Sequence, residues 1–271
     1  MSFRRSAVYV DMYETTVSRD GTRIAFDRYG QGSPIITVVG AFNERPTAAP
    51  LAKWLADKGF LVVTYDRRGR GDSGDTLPYS VDREIEDLGA LIEAVGGRAG
   101  VFGFSSGAML GVQAAARGLA MRRLALYDAP YRVDTPDVDR SQALAELIAA
   151  DRRGEAVEYF QREIVGIPAD MVAQFRHAPF RAGMERIAHT LVYEATIVSD
   201  GALPSPEVAA RATPPTLAIA GGAGSPIMPR AAQALEQLLP NARAHILPEQ
   251  GHDLEPAALG PVLAEFFGEA K

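Results

Sequence analysis

Residues Ala99-Gly100-Val101-Phe102-Gly103-Phe104-Ser105-Ser106-Gly107-Ala108 decide the fold of this chain. An apolar run closes on the pentapeptide Gly103-Phe104-Ser105-Ser106-Gly107, and an alanine-rich helical stretch, Ala108 to Arg117, follows directly. That is G-x-S-x-G in the order strand, sharp turn, helix. Such a turn holds its serine in a strained backbone conformation, and Gly103 and Gly107 remove Cβ atoms where strand and helix pass closely. The Ser105 hydroxyl is therefore expected above the C-terminal edge of a sheet, at a helix N-terminus that favours developing negative charge. The strand before it and the helix after it favour a nucleophile over an accidental glycine-flanked turn.

Outward from this element the chain alternates strand and helix. Tyr9–Val17 and Thr22–Tyr29 read as two antiparallel strands joined at Asp20-Gly21, and Pro34–Val39 and Phe60–Tyr65 as short buried strands. Between them a helix runs from about Pro46 to Lys58. Val81–Val95 carries Ile85, Leu88, Leu91, Ile92 and Val95 at helical spacing. Leu124–Tyr127 is the next strand. This rhythm implies a parallel sheet with helices on both faces.

From Pro136 to about Ala212 the rhythm breaks into helical patterns alone: Ser141–Asp151, Glu155–Ile164, Ala169–His177 and Arg181–Ile197, punctuated by Gly154, Pro168, Pro179, Pro204 and Pro206. Roughly 75–80 residues is too long for a connection. The expectation is a helical cap, residues 133–212, over a core formed by 1–132 and 213–271. Alternation resumes with Thr216–Ala220, Met228–Leu239, Ala242–Leu247 and Pro256–Phe267.

Composition narrows the function. A chain of 271 residues buries roughly 70–75% of its unfolded surface as one large α/β domain. It has no cysteine, so neither disulfides nor a thiolate metal site exist. A net charge of −6 argues against nucleic acid as the main partner. No stretch reaches the ~18 apolar residues of a membrane span, and Arg4 and Arg5 are followed by no apolar segment of signal-peptide length. A soluble cytoplasmic protein is the expectation. Gly69-Arg70-Gly71-Asp72-Ser73-Gly74 is formally G-x-G-x-x-G, but Arg67 and Arg68 separate it from its strand and Leu77-Pro78 follows where a helix should open, so it is not a nucleotide fingerprint. The embedded Arg70-Gly71-Asp72 matches an adhesion tripeptide that an intracellular chain has no receptor for. Four scattered histidines with no His-Glu-x-x-His give no metal site, and no cofactor is implied.

A serine nucleophile needs a base and a group to orient the base. His177 and His189 lie in the helical insert, and His245 lies inside a strand pattern, where a structural role is the simpler reading. His252, in the loop Pro248-Glu249-Gln250-Gly251-His252-Asp253 between the last strand and the last helix, belongs at the same sheet edge as Ser105. The loop after Leu217–Ala220, Gly221-Gly222-Ala223-Gly224-Ser225-Pro226, holds no carboxylate. Asp128, at the end of the preceding core strand in Tyr127-Asp128-Ala129-Pro130, is the candidate acid. It could also be a turn former before Pro130. Asp253 and Glu255 could cap the last helix, and Glu249 is a weaker rival acid. An oxyanion hole needs two preset N–H groups. Ser106 supplies one, and the loop Gly40-Ala41-Phe42-Asn43 supplies the other, most plausibly from Phe42. Among the cap's apolar residues, Phe160, Met171, Phe175, Phe180 and Met184 are core packing in part and pocket lining in part.

These residues resemble the α/β-hydrolase superfamily over essentially the whole chain. Besides the elbow, Tyr65-Asp66-Arg67-Arg68-Gly69-Arg70-Gly71-Asp72-Ser73 is similar to that family's D-x-R-G-x-G-x-S loop. The order Ser105, Asp128, His252 matches its nucleophile–acid–histidine order. Two departures stand out: Gly40-Ala41 replaces the usual histidine-glycine, and Gly224 stands near the usual acid position. Some members, among them zearalenone lactonases and one branch of haloalkane dehalogenases, carry the acid after strand six, and this chain resembles that arrangement. The resemblance implies a mostly parallel eight-stranded sheet with a helical cap inserted after strand six. A serine at the elbow, where dehalogenases and epoxide hydrolases of this fold carry an aspartate, implies acyl transfer. The expected activity is cofactor-independent hydrolysis of an apolar carboxylic ester or lactone, with Ser105, His252 and Asp128 as triad. The rival is a non-hydrolytic protein on the same scaffold, binding a small molecule or running a lyase or acyltransferase step. A homodimer is the commonest oligomer for such a protein.

Overall fold

A computed structural model describes residues 13–131, 140–199 and 206–269. Arg4 and Arg5, residues 9–12 of the first predicted strand, Pro136, Pro204 and the predicted boundary at 132/133 lie outside the described residues. Eight strands form one sheet: β1 Glu14–Val17, β2 Arg23–Gly30, β3 Ser33–Val38, β4 Phe60–Tyr65, β5 Ala99–Phe104, β6 Met121–Tyr127, β7 Thr216–Gly221 and β8 Ala242–Leu247. Their order across the sheet is β1-β2-β4-β3-β5-β6-β7-β8. β2 is antiparallel to β1 and to β4, and all other neighbours are parallel. The turn between β1 and β2 falls at Asp20-Gly21 as predicted: the Thr22 amide donates to Asp20 Oδ1 at 3.0 Å, and Gly21 has φ 87°.

The helices of the core are α1 Ala49–Ala56, α2 Val81–Ala94 and α3 Ser106–Ala116, and two further ones after β7 and β8. Alternate residues of each strand serve opposite layers. Phe102, Phe104, Ala125 and Tyr127 pack with Leu51 and Leu55 of α1, whereas Val101, Leu124 and Leu126 pack with Leu88, Leu91 and Leu110. With both faces covered, the central strands need apolar residues on both sides, which is why they read as uninterrupted apolar runs.

Between β6 and β7 the described elements are all helical: α4 Ser141–Ala149, α5 Arg153–Tyr159, a π-helical turn Phe160–Val165, α6 Ala169–Phe175, α7 Arg181–Arg186, α8 Leu191–Ser199 and α9 Pro206–Ala209. α10 Ile227–Leu238 follows β7 and α11 Pro256–Gly268 follows β8. Three predicted helices are modified. The predicted Pro46–Lys58 helix opens with a 3-10 turn, Arg45–Ala48. Arg181–Ile197 divides at a 3-10 turn, Ala188–Thr190, where both the amide and the hydroxyl of Thr190 donate to the Ile187 carbonyl, at 3.0 and 2.8 Å. A threonine that takes the carbonyl three residues back tightens the turn and re-aims the chain. Glu155–Ile164 becomes α5 plus the π turn, ended by Gly166 at φ 84°. Leu144, Ala156, Val157, Phe160, Ala188, Leu191 and Ala195 give this insertion a hydrophobic cluster of its own, against which Ala41 and Phe42 of the β3–α1 loop pack.

Candidate active site

Ser105 sits between β5 and α3 at φ 56° and ψ −127°, a positive φ that a residue with a Cβ adopts only under compulsion. The compulsion is visible on both sides. A Cβ on Gly103 would lie 2.6 Å from Ala108 Cα, and one on Gly107 would lie 2.2 Å from the Val38 carbonyl oxygen. Only glycines let strand and helix approach this closely. The Ser105 amide donates to the Tyr127 carbonyl at 2.9 Å, which ties the turn to β6. Ser105 precedes α3 but does not use its hydroxyl as a helix cap. Ser106 opens the helix, so its N–H is among those with no intrahelical acceptor.

Asp128 follows the last residue of β6 at φ 48° and is 2% exposed. Its two oxygens are separately engaged: Oδ1 accepts from the Gly221 amide at 2.8 Å, and Oδ2 lies 2.8 Å from His252 Nδ1. This is more than a turn former does. An ionised Asp128 accepts the Nδ1 proton, which leaves Nε2 as the basic nitrogen of the imidazole. The His252 ring leans on Phe104, with centroids 4.8 Å apart, and its side chain is 46% exposed. The Tyr127 hydroxyl donates to the Gly251 carbonyl and so fixes the loop that carries the histidine. Burial, followed by the Asp128 and Asp253 carboxylates, pushes that phenol well above its ordinary range, so it remains a donor. Glu249 is exposed, and Glu255 caps α11 by accepting the Ala257 amide at 3.2 Å. His245 is exposed on the edge strand β8 rather than packed in the interior, because alternate residues of that strand face outward.

The β3–α1 loop runs against the serine. A Cβ on Gly40 would lie 2.7 Å from Ser105 Cβ and 3.2 Å from Ser105 Oγ. Phe42 has φ 62°, and its ring meets Phe160 edge-on at 5.4 Å. This loop is held from beneath by charges that sequence reasoning did not identify. Arg70 Nη1 donates to the carbonyls of Gly40 (2.7 Å) and Asn43 (3.0 Å), and Arg67 Nη1 donates to that of Val39 (3.2 Å). Both guanidinium groups are buried and share one buried carboxylate, Glu194 of α8, at 2.7 Å from Arg67 and in direct contact with Arg70. Glu84 of α2 engages Arg67 through two hydrogen bonds, of 2.7 and 2.8 Å, and Asp87 engages Arg68 through two of 2.7 Å. Burial lowers the pKa of Arg70, whereas the carboxylates of Glu194 and Glu84 outweigh burial and raise that of Arg67. The readable signal was Glu84 and Asp87, one turn apart on a helix otherwise buried through Val81, Ile85, Leu88, Leu91 and Ile92, facing three arginines within Arg67–Arg70. The glycine pattern Gly69–Gly74 has its own structural use: the loop closes on itself from the Gly69 amide to the Gly74 carbonyl at 3.0 Å, and Asp66 Oδ2 fills the space a Cβ on Gly71 would need.

Ser105, Ser106, Asp128, His252 and Phe42 line one cavity of about 830 Å³. Its remaining wall is largely apolar and comes mainly from the inserted helices, with Ile227 and Met228 of α10, Phe104 of β5, the β3–α1 loop and residues 253–255 after β8. Phe160, Phe175, Phe180 and Met184, four of the five cap residues singled out from the sequence, line it. Met171 does not, and is 45% exposed. His177, His189 and His245 are not part of it. Among the described residues no cluster of His, Asp or Glu could hold a metal ion, and no helix is long and apolar enough to cross a membrane.

The sequence profile of the alpha/beta hydrolase family matches residues 40–261, from the loop beneath Ser105 to the last helix. The chain belongs to the alpha/beta hydrolase family. It is similar to an alpha/beta hydrolase from Sphaerobacter thermophilus, at 50% identity and a TM-score of 0.86 over 94% of this chain and 100% of that one. In fold it is similar to the enol-lactonase from Burkholderia xenovorans, at 24% identity and a TM-score of 0.70 over 94% of this chain and 100% of that one. The esterase from Exiguobacterium antarcticum is similar too, at 18% identity and a TM-score of 0.70 over 94% of this chain and 99% of that one.

Proposed function

We propose that this protein is a serine hydrolase that cleaves an apolar carboxylic ester or lactone through an acyl-enzyme, with Ser105 as nucleophile, His252 as base and Asp128 as the acid behind it. The observation that carries this reading is the 2.8 Å contact from His252 Nδ1 to the buried Oδ2 of Asp128, in the cavity that also holds the strained Ser105. In this mechanism His252 Nε2 takes the Ser105 proton as Oγ attacks the carbonyl carbon. Negative charge develops on the substrate oxygen and is met by the N–H groups of Phe42 and Ser106. His252 then gives its proton to the leaving alkoxide, or to the ring oxygen of a lactone, and the C–O bond breaks. Water, deprotonated by the same nitrogen, hydrolyses the acyl-enzyme. Asp128 holds the imidazole tautomer and stabilises the imidazolium.

The inserted helices serve as a cap over residues 1–132 and 213–271, and no cofactor enters the cycle. An apolar substrate is supported by the wall of Phe160, Ile164, Phe175, Phe180 and Met184, and an ester or lactone by the esterase and enol-lactonase that share the fold.

The test is steady-state hydrolysis of p-nitrophenyl esters of graded acyl length, beside a lactone panel. Ser105→Ala should lose on the order of 10⁴-fold or more in kcat, and Asp128→Asn on the order of 10³–10⁴-fold, both folded by circular dichroism. Labelling of wild type by a fluorophosphonate, abolished in Ser105→Ala, identifies the activated hydroxyl. Near-normal turnover by Asp128→Asn with loss in Glu249→Gln would reassign the acid, and turnover surviving Ser105→Ala would overturn the mechanism.

A further inference from the structure

Six large apolar side chains are exposed among the described residues: Val17, Leu77, Val165, Met171, Phe180 and Ile227. Scattered singly they would need no explanation. Three of them, Val165, Phe180 and Ile227, also line the cavity that holds Ser105. The apolar wall of that cavity is graded. Phe104, which leans on His252, and Phe160, which packs on Phe42, are 5% and 4% exposed. Val165, Phe180 and Ile227 are 52%, 48% and 39% exposed, so they form the outer part of the wall, where it meets solvent. Val165 and Phe180 come from the inserted helices and Ile227 begins α10, so insertion and core both contribute apolar surface there.

The apolar surface continues beyond the cavity. Phe180 meets Phe175 with the ring centroids 5.6 Å apart. Phe175 ends α6, and Met171 stands four residues before it, on the same face of that helix. Met171 is outside the cavity and 45% exposed. It is not what anchors α6, because Val172 beside it is the buried residue of that helix. A methionine is unbranched and polarizable, which suits a surface that must adapt to an apolar chain. Phe180, Phe175 and Met171 thus form a strip that begins on the cavity wall and ends outside it.

We propose that the substrate carries an aliphatic chain longer than the enclosed part of the cavity. Its scissile carbonyl sits at Ser105, and the far end of the chain leaves past Phe180 and lies against Met171. The substrate class is then an ester or lactone of a long-chain acid or alcohol. What favours a substrate chain over a docked protein is continuity, since the strip starts inside the cavity of the reacting serine. This rests on the hydrolase reading only for the words ester and lactone. The path for the chain is a binding feature.

The experiment uses p-nitrophenyl n-alkanoates and acetate esters of n-alkanols, each over about four to fourteen carbons and below its critical micelle concentration. In at least one series kcat/KM should rise to the longest chains, chiefly through KM, by about twofold per methylene, as for a methylene covered on one side only. Phe180→Ser and Met171→Ser, each checked for an intact thermal transition, should lower kcat/KM about 3- to 10-fold for long chains. The loss should set in at a shorter length for Phe180→Ser than for Met171→Ser. An optimum at short chains in both series, or substitutions that act equally at every length, overturns the proposal. So does activity that appears only above the micelle concentration, which would make the strip a contact for lipid aggregates. A wild-type dimer that either substitution dissociates in sedimentation would assign the strip to a second copy and overturn it too. Calorimetric titration of Ser105→Ala with methyl n-alkanoates reads the length dependence without chemistry. Affinity that grows with length and requires Met171, in a protein whose wild type turns over no ester, would keep this inference and remove the hydrolase reading. Ester turnover without the length dependence would do the reverse.

Discussion

Replacing Glu194 by glutamine should weaken both the fold and the loop beneath Ser105, and the structure sets the scale. The Glu194 carboxylate is fully buried and faces two buried guanidinium groups. Arg67 keeps a second carboxylate, Glu84, at 2.7 Å, but Glu194 is the only carboxylate paired with Arg70 among the described residues. Glu194→Gln preserves shape and leaves Arg70 a buried cation without a counter-charge. Breaking a buried pair in this way costs about 3–5 kcal/mol. At about 2–3 °C per kcal/mol for a chain of this size, Tm should fall by about 6–15 °C. The same guanidinium holds the carbonyls of Gly40 and Asn43, which bracket Phe42. If the Phe42 amide meets the developing oxyanion, slackening that clamp should lower kcat about tenfold at a temperature where the variant is still folded, with KM changed much less. Differential scanning calorimetry and ester hydrolysis at 20 °C read the two effects. A Tm within 2 °C of wild type would refute the energetic argument. A large Tm loss with unchanged kcat would refute the link from Arg70 to catalysis.

Gly40→Ala should damage turnover more than folding: its Cβ would stand 2.7 Å from Ser105 Cβ and 3.1 Å from the Phe104 carbonyl oxygen, so the serine must shift. A kcat loss of at least about tenfold with about 1–3 kcal/mol of destabilisation is expected. Wild-type rates from a folded Gly40→Ala protein would show that the loop does not need this approach. Acid should also destabilise the protein. Desolvation works against ionisation of Asp20, but hydrogen bonds from Thr22 and the Arg68 charge reverse it and hold the carboxyl at about 2, below the ordinary aspartate value of 3.8. Burial likewise opposes ionisation of Glu84, and Arg67 overrides it. Both groups bind protons more readily when unfolded, so their contribution is present above the ordinary carboxylate range and is lost as pH falls below it, for Asp20 down to about 2. Asp87, raised by burial against its Arg68 partner, contributes with the opposite sign. A Tm that falls between pH 5 and 3, less steeply in Asp20→Asn, is the expected result. A flat or rising Tm would contradict it.

The elements that sequence reasoning placed are those whose signals are local. Gly103 and Gly107 announce a strand–helix approach from two positions flanking one serine, and the Cβ distances show why nothing larger fits. The shared position of Asp128 and His252 was legible because each follows the C-terminal end of a strand in a parallel sheet, and all such ends share one edge. The buried arginines were not legible for the opposite reason. Arg67 and Glu194 stand 127 positions apart, and a charged residue is by default assigned to solvent. The π turn carries no helix breaker within it: Phe160 to Val165 is periodic enough to pass as ordinary helix, and only the winding of the folded backbone shows otherwise.

The insertion therefore meets the sheet edge in two ways with different tolerance for change. Phe160, Gln161 and Met184 line the cavity, and volume-conserving substitutions among such positions would reshape the binding space at modest cost. Glu194 reaches past the cavity wall to the guanidinium groups that brace the Gly40–Asn43 loop, and there a single uncompensated charge costs several times more. Both kinds of contact come from one stretch of helices. The carboxylate paired with the guanidinium groups under the Gly40–Asn43 loop is thus supplied by the same segment whose side chains line the cavity. That segment can vary along its cavity face only so long as Glu194, or another buried anion in its place, continues to neutralise Arg70.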